Sequence, residues 1–108
     1  MFVAAYWWDV KPGKEDQFRA AWCRGTDLIQ EKYGSLGSRL HREDRHDGRI
    51  RFIGVAEWPD KATWQKAFDA KMVYDDPETR QAFVDALEGW ADEPLLLMQV
   101  TDDLLDRA

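Results

Sequence analysis

Two histidines, one cysteine and a surplus of tryptophan are the side chains whose chemistry in this sequence goes beyond packing and solubility. An imidazole titrates near pH 6.5, so His41 can take a proton from a phenol or an enol at neutral pH. It lies in the strand-like run from Ser35 to Asp44. The run from Arg49 to Trp58 follows after Asp47-Gly48, a pair that seeds a two-residue hairpin. That turn predicts a register with Asp44 opposite Arg51, Arg42 opposite Ile53, His41 opposite Gly54 and Leu40 opposite Val55. Gly54 then leaves room beside His41, next to Phe52 and Trp58, for a small ligand. The plainer reading of His41 is a half-exposed strand histidine. His46, among Arg45, Asp47 and Arg49, is expected at a solvated hairpin tip. Neither histidine makes a metal site with Asp44 and Asp47, because adjacent strand residues face opposite ways and the two histidines differ in parity. Cys23 lies beside Trp22 off the apolar stripe of its helix, without an activating base, and reads as a structural thiol.

The aromatic residues Tyr6, Trp8, Trp22, Trp58, Trp64, Phe68 and Tyr74 are either an ordinary core or the lining of a pocket for a flat molecule. Six Trp are many for a core of this size, and each buried indole N–H needs a partner. Charge narrows the partners. Fifteen Lys and Arg against 21 Asp and Glu leave a net charge of -6, which argues against nucleic acid or an anionic membrane surface. The locally basic segment RLHREDRHDGRIR is explained by cross-strand ion pairs such as Asp44 with Arg51, and it lacks interleaved aromatics. No Gly-rich phosphate loop or dinucleotide fingerprint is present. A single cysteine fits a reducing cytoplasm, no apolar run reaches the roughly 20 residues of a membrane span, and the start lacks a basic signal region.

The elements that must position these groups follow from periodicity. Phe2 to Val10 is β-rich and ends at Lys11-Pro12-Gly13. A helix from about Lys14 to Tyr33 carries Phe18, Ala21, Trp22, Gly25, Leu28 and Ile29 on one stripe, with Gly34 as its stop. Beyond the hairpin, Asp60 can cap a helix with Trp64, Ala67 and Phe68 on its stripe. Asp76, followed by Pro77, can cap another with Phe83, Ala86, Leu87 and Trp90. Pro94 closes this helical region, and Leu95 to Val100 is a last strand.

The order β-α-β-β-α-β predicts one α+β domain over residues 1–108, a ferredoxin-like antiparallel four-stranded sheet with helices on one face. Strand 1 offers Val3, Ala5 and Trp7 on one side and Phe2, Ala4, Tyr6 and Trp8 on the other. Helices cover only one of these faces, so the other is expected to meet a second copy in a homodimer.

The stretch VKPGKEDQFRAAW and the later RFIGVAEWPDKATWQKAF resemble the antibiotic biosynthesis monooxygenase family of dimeric α+β barrel proteins. The resemblance covers most of the chain. It implies a cofactor-independent monooxygenase acting on a small aromatic or enolic substrate, whose anion reduces dioxygen directly. On that reading His41 is the catalytic base, Tyr6, Trp58, Trp64 and Phe68 bind the substrate as walls, Arg80 is an anion partner, and no metal or cofactor takes part. The sequence departs from the haem-degrading branch, which carries an Asn on the first strand and an iron-binding His after the second helix. This chain has no Asn, and DDPETRQAF has no His. The Asn of some polyketide oxygenases is missing too, which favours the alternative of a dimeric small-molecule binding or accessory domain without catalysis.

Overall fold

A computed structural model describes residues 1–72 and 75–106. Tyr74, one of the aromatic candidates, lies outside them. Among the described residues the chain is α+β, with an antiparallel sheet and three helices in the order β1 (Phe2–Val10), α1 (Glu15–Tyr33), β2 (Gly37–Asp44), β3 (Ile50–Trp58), α2 (Lys61–Asp69), α3 (Pro77–Asp85), β4 (Leu87–Trp90) and β5 (Leu96–Gln99).

Strand β1 is central. It pairs with β3 along its whole length, from Phe2 opposite Trp58 to Val10 opposite Ile50, and β3 pairs in turn with β2. The other side of β1 is shared: Trp8–Val10 pair with β4, and Phe2–Ala5 pair with β5. The sheet therefore has five strands where the sequence predicts four. Two short strands lie end to end along β1, separated by a loop containing Pro94, which has no N–H to give to a ladder. Chain pairing resumes at Leu95, whose N–H donates to the Ala5 carbonyl at 2.7 Å.

Local chemistry explains the helix boundaries. Gly34 ends α1 in the left-handed conformation at φ 80°. Asp60 caps α2 by accepting from the Thr63 N–H at 2.7 Å and its hydroxyl at 2.8 Å. Asp76 caps α3 in the same way, with Pro77 at the first turn. The last helix is shorter than its apolar stripe predicts. Leu87 and Trp90 belong to β4, because the end of β1 captures this backbone: Lys11 N–H donates to the Ala86 carbonyl, and Val10 pairs with Leu87. An irregularity at Glu88 then restores Trp90 to the same face as Leu87.

The hairpin register also differs from expectation. Asp44 lies opposite Ile50, His41 opposite Ile53 and Leu40 opposite Gly54. The turn has three residues rather than two: Arg45 and Arg49 close it, and Gly48 occupies φ 80° with its N–H on the Arg45 carbonyl. A shift of one residue turns every side chain of β2 over. Leu40 joins the helix-covered face with Phe52 and Gly54, and His41 moves to the outer face with Ile53. Asp44 consequently does not pair with Arg51. It pairs with Arg42 at 3.0 Å, while Arg51 binds Asp9.

The helices cover the face of Phe2, Ala4, Tyr6, Trp8 and Val10. Two clusters form there, one of Phe2, Ala4, Trp58, Trp64 and Ala67, the other of Val10, Phe18, Phe52, Ala86 and Leu87. The outer face carries Val3, Ala5 and Trp7, with Leu96 and Met98 half-exposed beside Ala5 and Val3. It also holds the fully buried Asp9. This carboxylate accepts from Arg51 Nε at 2.8 Å, a second Arg51 nitrogen at 3.1 Å and Arg49 at 3.4 Å, and the Arg51 guanidinium lies 4.1 Å from the Trp7 ring.

Candidate functional site

Between the sheet and the helices lies a partly open cavity of about 650 Å³, within the range of small-molecule sites. Its floor is Tyr6 and Trp8 from β1 with Gly54 and Ala56 from β3. Its roof includes Trp22 and Ile29 from α1, Phe68 from α2 and Phe83 from α3. Gly54 is tightly overlaid here. A Cβ on it would stand 3.0 Å from two atoms of the Trp8 ring and 3.2 Å from Trp22 Nε1. The space above Gly54 is therefore occupied by indole and not by a ligand beside His41.

Tyr6 supplies the cavity's best-defined polar group. Its hydroxyl oxygen accepts a hydrogen bond from Trp64 Nε1 at 2.9 Å, and burial pushes its pKa above the ordinary phenol value despite that bond. The phenol therefore stays protonated at neutral pH, with its own O–H free of the Trp64 interaction and able to donate. Trp64, 3% exposed, stands behind this wall and is braced by Phe2 and Phe68, with ring centroids 5.7 and 5.2 Å away. Trp58 lines the cavity from the core side, and its Nε1 has no partner among the described residues.

The remaining lining is mixed. Arg80 and Thr79 of α3, Ser38 of β2, and the carboxylates Asp75, Asp76 and Asp92 line the cavity. Asp75 also ties the approach to α3 to the end of α1. It accepts from the Tyr33 hydroxyl at 2.6 Å and pairs with Lys32 at 3.0 Å. These two bonds hold its carboxyl below the usual range, and the same contacts raise Tyr33 and Lys32.

The structure thus brings Tyr6, Trp58, Phe68 and Arg80 to one cavity, with Trp64 behind Tyr6. It does not bring His41 there. His41 is exposed on the outer face, with Nδ1 3.2 Å from the Ile53 carbonyl, because the three-residue turn reverses the parity of β2. His46 is exposed near the hairpin tip. Among the described residues no group of three or more His, Cys, Asp or Glu could hold a metal ion. Among the described residues no helix is long and apolar enough to cross a membrane. Trp90 is a cavity residue that sequence reasoning assigned to a helix stripe. The signal that could have found it is Gly89 beside it, a poor helix residue that sits opposite Asp9 in the sheet.

No protein-family model matches the sequence, and no curated protein matches it. Solved structures do. SnoaB, a cofactor-independent oxygenase from Streptomyces nogalater, superposes with a TM-score of 0.60 at 16% identity, covering 97% of both chains. A structure described as an antibiotic biosynthesis monooxygenase matches with a TM-score of 0.58 at 18% identity, covering 94% of this chain and all of the other. A Bordetella bronchiseptica protein assigned to the same group gives 0.55 at 19% identity, covering 95% and 97%. The chain has the ferredoxin-like fold of the antibiotic biosynthesis monooxygenases, as the resemblance in its sequence implies.

Proposed function

We propose that this protein is a cofactor-independent monooxygenase for a small electron-rich aromatic or enolic substrate held between the sheet and the helices. The observation that carries this reading is the Tyr6 hydroxyl, accepting from Trp64 and keeping its own proton inside an aromatic cavity. A substrate oxygen that accepts a hydrogen bond from this hydroxyl has its phenolate or enolate form stabilised, because a donor already aimed at developing charge needs no reorganisation. Trp58 and Phe68 act as walls, Trp64 holds Tyr6 in place, and Arg80 faces the oxyanion. The named activity of SnoaB supports the reading.

The chemistry balances without a cofactor. An activated methylene loses a proton to water at the cavity mouth, and the carbanion passes one electron to dioxygen. The resulting radicals combine as a peroxide anion, which takes a proton back from the water and then loses water. The carbon gains one oxygen as a carbonyl, and the second oxygen leaves with the two methylene hydrogens. His41, on the other face, takes no part as the base. Oxygen uptake by metal-stripped protein with anthrone-type substrates, which carry the activated methylene, tests the proposal. Uptake is expected in the wild type and in His41→Ala, with a loss of about a hundredfold or more in Tyr6→Phe, the scale of one oxyanion donor. No uptake across the panel removes the monooxygenase. Tight binding without uptake makes the chain a small-molecule binding domain.

We infer in addition that two copies pack sheet to sheet through the outer face, with Val3, Ala5, Trp7, Ile53, Val55, Leu96 and Met98 at the centre. Helices cover the opposite parity of β1 and β3, and on β5 the half-exposed Leu96 and Met98 extend the outer apolar strip beside Ala5 and Val3, which are themselves buried, while Leu97 on the other parity is half-exposed as well. The single exposed thiol, Cys23, fits a reducing cytoplasm.

A further inference from the structure

Trp90 lines the cavity, yet half of its surface (50%) is open to solvent. It stands on β4 directly opposite Trp8, on the helix-covered face of the sheet. A sheet-to-sheet dimer covers the other parity and leaves this exposure as it is. The aromatic wall runs inward from Trp90. Trp8 stacks on Tyr6 with centroids 6.3 Å apart and an interplanar angle of 15°, and it meets Phe83 edge-on at 5.4 Å. Same-face neighbours on a strand are about 6.7 Å apart and adjacent strands about 4.8 Å, so the backbone positions of Tyr6 and Trp90 are separated by roughly 8 Å. That span exceeds a single aromatic ring and suits two or three fused ones. The carboxylates of Asp69, Asp75, Asp76 and Asp92 outnumber Arg80 and Lys71 along the lining, which disfavours a ligand that arrives already charged as an anion.

We propose that Trp90 is a specificity-determining residue: its indole stacks on the outer ring of a planar, neutral polycyclic ligand whose inner oxygen meets the Tyr6 hydroxyl. This rests on the reading that the cavity takes an aromatic ligand. The consequence is selection by ring number, because a one-ring ligand seated at Tyr6 does not reach Trp90.

Binding titrations with two hydroxy-ketone probes, the three-ring dihydroxyanthraquinone and the one-ring hydroxyacetophenone, test the proposal. Trp90→Ala is expected to weaken the three-ring probe by about five- to tenfold, the scale of one aromatic stacking contact, and to leave the one-ring probe within about twofold. Trp90→Phe, which keeps a ring, restores most of the affinity. It also serves as the comparison with wild type should the alanine variant not fold. Equal weakening of both probes, or unchanged three-ring affinity in both variants, overturns the role of Trp90 while leaving the cavity reading intact. Failure of the three-ring probe to bind the wild type overturns the cavity reading and this proposal with it.

Discussion

The most exacting single contacts lie on opposite sides of β1. Tyr6 and Trp64 are mutually dependent, since Tyr6→Phe leaves the Trp64 N–H buried without its acceptor. The variant is expected to lose about 1–3 kcal/mol in denaturant unfolding as well as activity, and an unchanged midpoint would mean that water replaces the hydroxyl. Gly54→Ala forces a Cβ to within 3.0 Å of the Trp8 ring, which is itself packed against Phe18 and Phe83. Overpacking of about 1–3 kcal/mol is expected, together with weaker aromatic ligand binding in the same titrations. Asp9 has a pH signature. Hydrogen bonds from Arg51, then the charges of Arg51 and Arg49, hold its pKa below that of the unfolded chain. Its contribution is therefore complete above about pH 4 and disappears as pH falls through the folded value. Thermal melts from pH 7 to pH 3 should show this acid limb flattened in Asp9→Asn. An identical acid limb in both proteins would contradict the assignment.

At the scale of elements, the β2–β3 turn decides what the site contains. Asp47-Gly48 is a strong hairpin signal, and a hairpin forms there. Its residues are compatible with both a two- and a three-residue loop, since Gly48 comes last at positive φ in either, and the hydrogen bonds of Arg45 with Arg49 and Gly48 mark the second. That choice carries His41 away from the cavity. Gly48→Ala places a Cβ in the left-handed region and should cost about 1–2 kcal/mol in a chemical melt. No measurable cost would argue against the left-handed backbone at this position. The β4 segment teaches a similar lesson. The stripe Phe83, Ala86, Leu87 and Trp90 fits helical spacing, but the backbone groups of Ala86 and Leu87 bond to the end of β1, a partner far away in sequence.

For the whole molecule, the apolar outer face predicts assembly. Sedimentation at micromolar concentration should give twice 12.6 kDa, and Ile53→Glu, which buries a carboxylate at the centre of the proposed interface, should give the monomer. A wild-type monomer under the same conditions would contradict the dimer.

The sequence by itself determined the α+β class, the positions of β1, α1 and the hairpin arms, the Asp60 and Asp76 caps, and most of the aromatic wall. Each of these depends on neighbours a few residues apart, where periodicity, capping and turn chemistry act. Tertiary structure decided the parity of β2, the division of the last strand position into β4 and β5, the pairing of Trp64 with Tyr6, and which face of β1 meets the helices. These choices are made between residues distant in the chain, by backbone groups seeking partners and side chains seeking volume. Tyr6 and Trp64 are 58 positions apart, so their hydrogen bond leaves no periodic trace, and the position of the Tyr6 hydroxyl depends on it.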